Sequence, residues 1–269
     1  MAGTITDRHQ RILQEMDRRG ACTYQDLSEL LGVSTMTIRR DIDRLAAAGE
    51  VIKALGGAQK AHAPRDLYES PVMSRLSENR PLKQAIVRAA MDMIAPGQTV
   101  FLDGSSTCLE LAKLLASQGK AVTVVANSAL VCMALGVSSQ IVVLGIGGQL
   151  DSESLCFVGP ASEEWASTFF VDIAFVSTKA FVPAEGTFES SLANFRVKRI
   201  VAEHAGKLAL LVDHTKFGRR ALCKVFEPSQ IDIVITDSQV GPDDLSELHR
   251  GGGQLVLAPA QGQESASCR

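Results

Sequence analysis

The chain has 269 residues, 27 of them Lys or Arg and 30 Asp or Glu, for a formal charge of −3, with 46% hydrophobic and 21% charged residues. This balance excludes a polybasic tail-type binder, and the composition excludes disordered and fibrous classes in favour of an ordinary soluble globular protein of about two domains. No apolar run approaches the roughly 18 residues that cross a bilayer, and MAGTITDRHQRI lacks the pattern of a signal peptide, so a cytoplasmic protein is expected. The six cysteines, Cys22, Cys108, Cys132, Cys156, Cys223 and Cys268, form no C-x-x-C pair and no Cys/His cluster. Neither a disulfide framework nor a metal site is expected, no cofactor is called for, and most of the thiols read as small buried hydrophobes.

In chain order, Ile12, Leu13 and Met16 have helical spacing up to Gly20. A second helix opens at Thr23, with Asp26 three residues on as a variant of the capping box, and carries Leu27, Leu30 and Leu31. Gly32 supplies a stop and a tight turn, and Ser34 caps a third helix with Met36, Ile38, Ile42 and Leu45 expected on its inner face, ending at Gly49. EVIKALGGA then reads as a strand and a Gly56-Gly57 turn, a two-stranded wing over Val51 to Ala58. The polar, aperiodic stretch 59–73, with two prolines, reads as a linker between a winged helix-turn-helix unit over 1–58 and a second unit over 74–258. The small, polar tail 259–269 is expected to fray.

The second unit begins with a helix over Pro81 to Ile94. Strands and helices then alternate: TVFLD, a helix over Leu109 to Leu115, AVTVVA, a helix over Ala129 to Leu135, QIVVLG, VDIAFVST, a helix over Asn194 to His204, KLALLVD, DIVITD, a short helix near Leu245, and QLVLA. Near-continuous Val/Ile/Leu strands joined by helices predict an α/β unit with a mostly parallel sheet buried on both faces.

Two sites follow from these placements. The segment from Thr23 to Leu45 has the helix-turn-helix pattern, and the outward face of its last helix offers Ser34, Thr35, Thr37, Arg39 and Arg40. Small hydroxyl residues let a backbone approach DNA, and an Arg fork pairs with guanine or with phosphate; which of these Arg39 reads stays open, as does a plain solvated face. The first 62 residues carry nine Lys/Arg against eight Asp/Glu, a mildly positive local balance in an acidic chain. In the second unit, TVFLD runs into Gly104, Ser105, Ser106 and Thr107 before a helix, where free N–H groups and the helix dipole favour an anion. Asp103, Asn127, Gly147-Gly148, Lys179, and Asp213 with Lys216 stand at strand ends, a set that suits a phosphorylated sugar.

The strings GVSTMTIRRDIDRL and the GGA after it closely resemble the DNA-binding domain of the DeoR family of bacterial transcriptional regulators. The resemblance continues through FLDGSST, VVANS, GGQL, FVGPAS, VDIAFVS, FRVKRIVAE, LLVDHTKFGR and IDIVITD, in the family's order. It implies the fold shared with ribose-5-phosphate isomerases and coenzyme A transferases, a repressor of a sugar or sugar-derivative operon bound to double-stranded operator DNA, and release by a phosphorylated sugar. By the same resemblance Lys53 in the wing contacts DNA, Asp41 is a structural partner, and Asp103, Gly104, Ser105, Ser106 and Thr107 hold the phosphate. Asn127, Gly147, Gly148, Gly159, Lys198, Asp213 and Lys216 then line the rest of the effector site. The chain departs from the family's pattern at Ala54-Leu55, at Lys179, and at Asn194, where an acidic residue is usual.

Half-site recognition implies a homo-oligomer, a dimer or a tetramer. Two other readings stay open: an isomerase-like enzyme with a DNA-binding appendage, for which Asp103, Asp213 and Lys216 are the available groups, and a constitutive DNA binder with a vestigial sensor.

Overall fold

Residues 5–19, 21–48, 50–54, 57–60 and 71–259 are described by the computed structural model, and the chain divides into two units, 1–68 and 69–269. The first comprises α1 (Ile5–Arg19), β1 (Ala21–Thr23), α2 (Tyr24–Leu31), α3 (Thr35–Ala47), β2 (Val51–Ala54) and β3 (Gly57–Lys60). The capping box forms as the spacing predicts: Asp26 N donates to Thr23 Oγ1 at 3.0 Å and Thr23 N to Asp26 Oδ2 at 3.1 Å. Gly32 ends α2 in the left-handed region, and Ser34 Oγ caps α3 by accepting from Thr37 N at 3.2 Å. Ile12, Met16, Leu27, Ile38, Ile42, Leu45 and Val51 close one small core.

One expectation fails in this unit. Met36 is 58% exposed rather than inward, because it sits about 200° around the helix from Ile38, on the opposite face. On α2, Leu27 is buried and Leu30 is 44% exposed. The expected hairpin of the wing forms between β2 and β3, and β1, three residues too short to show a period, extends it by pairing antiparallel with β3, giving the order β1-β3-β2. Gly57 stands opposite Thr23 in that ladder, and a Cβ there would lie 2.3 Å from the Cys22 carbonyl oxygen. The Gly49 stop, Gly56 of the turn, and 61–70 of the expected linker lie outside the described residues, as do Cys268 and 260–269 of the tail. Of the remaining linker positions, Gln59 and Lys60 belong to β3.

The second unit opens with α4 (Val72–Arg75) and α5 (Arg80–Met91), then β4 (Thr99–Leu102), α6 (Ser106–Gln118), β5 (Val122–Ala126), α7 (Ala129–Leu135) and β6 (Ile141–Gly145). A hairpin of β7 (Gln149–Asp151) and β8 (Cys156–Val158) leads to α8 (Pro160–Ala166), β9 (Ile173–Val176), β10 (Ala180–Val182), β11 (Gly186–Glu189) and α9 (Leu192–Glu203). The unit ends with β12 (Leu208–Leu211), β13 (Cys223–Lys224), β14 (Ile233–Asp237), α10 (Pro242–Arg250) and β15 (Gln254–Ala258). Seven of these strands form one sheet, β15-β14-β12-β9-β4-β5-β6, and every pairing in it is parallel.

The period of two along each strand builds a core on either face. Val100, Leu102, Val124, Phe175 and Leu211 pack against α5, α6 and α7. Their alternates Phe101, Val125, Ala174, Val176 and Leu210 face Ala166 of α8, Val197 and Val201 of α9 and Leu248 of α10. Chain order β4-β5-β6 runs one way across the sheet, and β9 then returns to the other side of β4. The carboxyl ends of β4 and β9 therefore flank the switch point, where open α/β sheets leave a crevice. Two features carried no sequence signal: the β7–β8 hairpin and a three-stranded antiparallel sheet, β10-β11-β13. Both border the crevice through Cys156 and Glu189.

Cys22, Cys108 and Cys156 are buried and Cys132 and Cys223 half-buried, all as free thiols. Burial, with the Asp103 charge nearby, pushes the Cys108 thiol well up, consistent with an inert core position.

Candidate functional sites

On α3, Ser34, Thr35, Arg39 and Arg40 are exposed and Thr37 is half-buried. Ser34 is committed to the cap, and its hydroxyl lies 2.9 Å from Thr37 Oγ1. The Arg39 guanidinium lies over the Tyr24 ring, 5.2 Å from its centroid, so a residue of α2 fixes the direction of that side chain. The helix is held from behind by Asp41, which is 1% exposed. Its Oδ2 accepts from Arg8 Nε at 2.5 Å and its Oδ1 from Arg8 Nη2 at 3.1 Å, with His9 Nε2 also 3.1 Å from Oδ1. Burial pushes the Asp41 carboxyl up, but Arg8 and His9 outweigh it and hold it below the usual carboxylate range. Asp41 is thus a structural partner. Lys53 is exposed on β2 and ion-pairs with Asp43 of α3, which joins the wing to the helix. Its charge is shared before any phosphate arrives.

The crevice of the second unit is a cleft at the carboxyl ends of β4, β5, β9 and β12. Gly104, Ser105, Ser106, Thr107, Asn127, Lys179, Asp213 and Lys216, which stand at strand ends, all line it, and so does Lys198, which the family resemblance assigns to the site. Ser105 caps α6, its Oγ accepting from Cys108 N at 3.1 Å, and that leaves the N–H groups of Ser106 and Thr107 without an acceptor among the described residues. Both residues are nearly buried, at 6% and 5% exposure, and with their hydroxyls the loop offers four donors at a helix N-terminus. A Cβ on Gly104 would lie 1.9 Å from Cys156 Sγ; the loop packs against the β7–β8 hairpin only because that residue is glycine.

Asp103 lies beneath this floor with no exposure and does not line the cleft. It accepts from Ser105 N at 3.0 Å and from Ser177 N at 2.9 Å, and it ion-pairs with Lys198 at 2.9 Å. Lys198 also donates to Glu189 Oε1 at 2.6 Å and to Ser177 O at 2.9 Å, which uses all three of its protons. Burial pushes the Asp103 carboxyl up, but Lys198 and the two N–H donors outweigh it and leave it lowered. For Lys198 burial acts downward, and Asp103 and Glu189 outweigh it and raise the ammonium above the ordinary lysine range. The pair that sequence reasoning assigns to the ligand is therefore the internal brace of the loop and of the Ser177 turn.

Gly147, Gly148 and Gly159 are not brought to the cleft. Gly147 O accepts from Ser162 Oγ at 2.7 Å, a Cβ on Gly148 would meet that same hydroxyl, and Gly159 precedes α8 as its N-cap. Of the three, Gly148 is the one whose missing Cβ lets the turn after β6 pack on α8. Conversely, Arg75, Glu78, Lys83, Ser154, Cys156 and Glu189 line the cleft without having been singled out. Lys83 did carry a signal: it lies on the stripe of Ile86, Val87, Ala90 and Met91, where a lysine is out of place.

The Asn127 side chain is 2% exposed; its Nδ2 donates to Phe157 O at 3.2 Å and its Oδ1 is a buried acceptor with no partner. Such an atom normally costs about 1–3 kcal/mol, and here it belongs to a residue that lines the cleft.

Residues 8–63 match the DeoR-like helix-turn-helix domain and residues 78–238 the DeoR C terminal sensor domain. The chain is 29% identical over 252 residues to a protein of Escherichia coli O157:H7 named as an aga operon transcriptional repressor, covering 94% of this chain and 93% of that one. It is 30% identical over 254 residues to the HTH-type transcriptional regulator GolR of Listeria innocua, covering 94% and 98%. Among solved structures, ribose 5 phosphate isomerase A from Neisseria gonorrhoeae aligns with a TM-score of 0.39 and 16% identity over 51% of this chain and 53%, about half, of that one. Both halves of the sequence thus match the same family, in the same order, and the chain belongs to the DeoR family of helix-turn-helix transcriptional regulators.

Proposed function

We propose that the chain represses transcription by placing α3 in the major groove of operator DNA, and that a phosphorylated sugar bound in the second unit's cleft releases it. The observation that carries the ligand class is the juxtaposition, in one cleft, of unfilled donors at the α6 N-terminus and the unpartnered acceptor Asn127 Oδ1. The donors suit a phosphate and the acceptor a neighbouring hydroxyl. Arg39 and Arg40 supply the forks that read a base edge or hold a phosphate, while Thr35 and Ser34 allow close approach. One helix reads too few base pairs for useful selectivity, so the active species is a homo-oligomer, a dimer or a tetramer. Among the described residues no helix is long and apolar enough to cross a membrane, and access to operator DNA places the chain in the cytoplasm.

Regulation accounts for the site better than catalysis. A general base must reach its substrate's proton, whereas the Asp103 carboxylate is sealed beneath the floor and held to Lys198. A thermal-shift screen of sugar phosphates beside their parent sugars tests the reading. A ligand at about 100 times its Kd contributes roughly 2.7 kcal/mol of stability and gives a plain shift. The hit is then added to the operator complex in a mobility-shift assay. Release by the phosphate and not by the parent sugar is the expected result; stabilisation without any change in DNA binding would refute the coupling.

A further inference from the structure

Lys83 is the anomaly in the cleft. Its side chain is 4% exposed, on the buried stripe of α5, and its Nζ donates to Arg75 O at 2.7 Å. Among the described residues no carboxylate forms an ion pair with it. Glu78 and Asp213 act on it only at a distance, and Asp213 Oδ1 already accepts from Thr215 and from Asn79 Nδ2. Burial, with the neighbouring Lys216 and Arg75 charges, pushes its ammonium below the ordinary lysine range. Lys216 lines the same cleft and has no ion-pair partner among the described residues either. A buried cation short of counter-charge is costly unless something supplies that charge, and this one borders the cleft where the α6 N-terminus is also unfilled.

We infer that Lys83 is an anion-binding residue of the cleft, acting with Lys216 and the α6 N-terminus on one phosphate group, and that it draws the ligand's charge onto the α4–α5 segment. The inference rests on the proposed ligand class. Its consequence concerns regulation, because 72–83 is the stretch of this unit nearest in sequence to the DNA-binding unit. Lys83 bridges that stretch internally, linking α5 to the last residue of α4. A phosphate that engages Lys83 therefore restrains both helices, which gives the ligand the differential contact that any coupling to DNA requires.

The test uses the full chain with inorganic phosphate as the probe, its binding read by thermal shift and titration. Lys83→Gln keeps a donor for Arg75 O and removes the charge. Its phosphate affinity is expected to fall at least about tenfold, as for the loss of one charge-assisted hydrogen bond, with the unliganded melting temperature retained. In parallel, hydrogen exchange of the amides of 72–83 is expected to slow with phosphate in the wild type and not in Lys83→Gln. Thr107→Val separates the levels of the argument. If Thr107→Val loses phosphate and Lys83→Gln binds like the wild type, the inference falls and the ligand class stands; if the wild type itself ignores phosphate, both fall. Unchanged exchange over 72–83 in phosphate-bound wild type also overturns it. Should Lys83→Gln melt early, the 15N shift of Lys83 Nζ with and without phosphate decides: movement supports the assignment and none overturns it.

Discussion

Asp103→Ala is the substitution whose cost can be worked most directly. The carboxylate is fully buried, ion-paired to Lys198 at 2.9 Å, and accepts from the N–H groups of Ser105 and Ser177. Breaking a buried pair by removing one partner costs about 3–5 kcal/mol, and each backbone N–H left without an acceptor adds to the strain. Glu189 remains against Lys198 at 2.6 Å and keeps the ammonium compensated, so the lower end, about 3 kcal/mol, is expected. That is a large part of a stability of about 5–15 kcal/mol, yet compatible with folding. The one tryptophan of the sequence, Trp165, lies on α8, and its fluorescence in a urea titration reports the second unit apart from the first. Lys198→Met alone removes the ammonium that both buried carboxylates contact and is expected to cost at least as much. The double variant removes the Asp103 charge together with the ammonium, so its loss should fall short of the summed single losses by about 2 kcal/mol. An Asp103→Ala variant within about 1 kcal/mol of wild type, or strictly additive losses, would refute the brace.

Asp41→Ala removes the shared acceptor of Arg8 and His9 and is expected to cost the first unit about 1.5–3 kcal/mol in a circular-dichroism melt; no change would show that α1 does not hold α3 through this carboxylate. Gly57→Ala puts a Cβ 2.3 Å from the Cys22 carbonyl and should cost about 1–3 kcal/mol in the same assay, since backbone rather than a flexible side chain has to yield. Ile38→Ala should cost about 2–5 kcal/mol, whereas Met36→Ala, on the opposite face and exposed, should lie within about 0.5 kcal/mol of wild type. Stability should also fall in acid. Asp103 and Asp41 have lowered folded pKa values, so the unfolded chain takes up their protons first as pH drops: their contribution is complete above about pH 4 and is lost as pH falls through the depressed values. Asp103→Ala should flatten that acid limb in the Trp165 signal, and a limb of unchanged steepness would count against the assignment.

Strand and helix order in the second unit was legible because its signals are local. A run such as TVFL or LALL states its own burial on both faces, and Ser34, Ser105 and Gly32 mark helix ends by chemistry that acts over three or four residues. The anion loop was legible for the same reason, being the junction of one strand with one helix. Charge partnership is different in kind. Asp103, Glu189 and Lys198 belong to β4's end, β11's end and α9, and nothing in the local sequence distinguishes a lysine that reaches a ligand from one that has spent its three protons on neighbours. The strand-end rule brought Asp103 to the right place but to the wrong depth, since alternation along β4 decides the face of a side chain while only the packed fold decides its depth; Lys198, which the family resemblance assigns to the site, lines the cleft with its protons already engaged.

The same distinction separates Lys83 from Lys198, and it indicates what to look for in such a chain. Both are lysines on helices, both are nearly buried, and burial pushes both toward the neutral form. Lys198 meets two carboxylates and comes out above the ordinary lysine range; Lys83 meets a carbonyl and comes out below it. A fold gains nothing by burying a cation of the second kind, because a well-packed apolar side chain in that stripe would be more stable. Its retention beside an unfilled helix N-terminus and an unpartnered amide oxygen is intelligible when the missing counter-charge arrives with a ligand, so that the least stable electrostatics of the empty unit are those the ligand repairs.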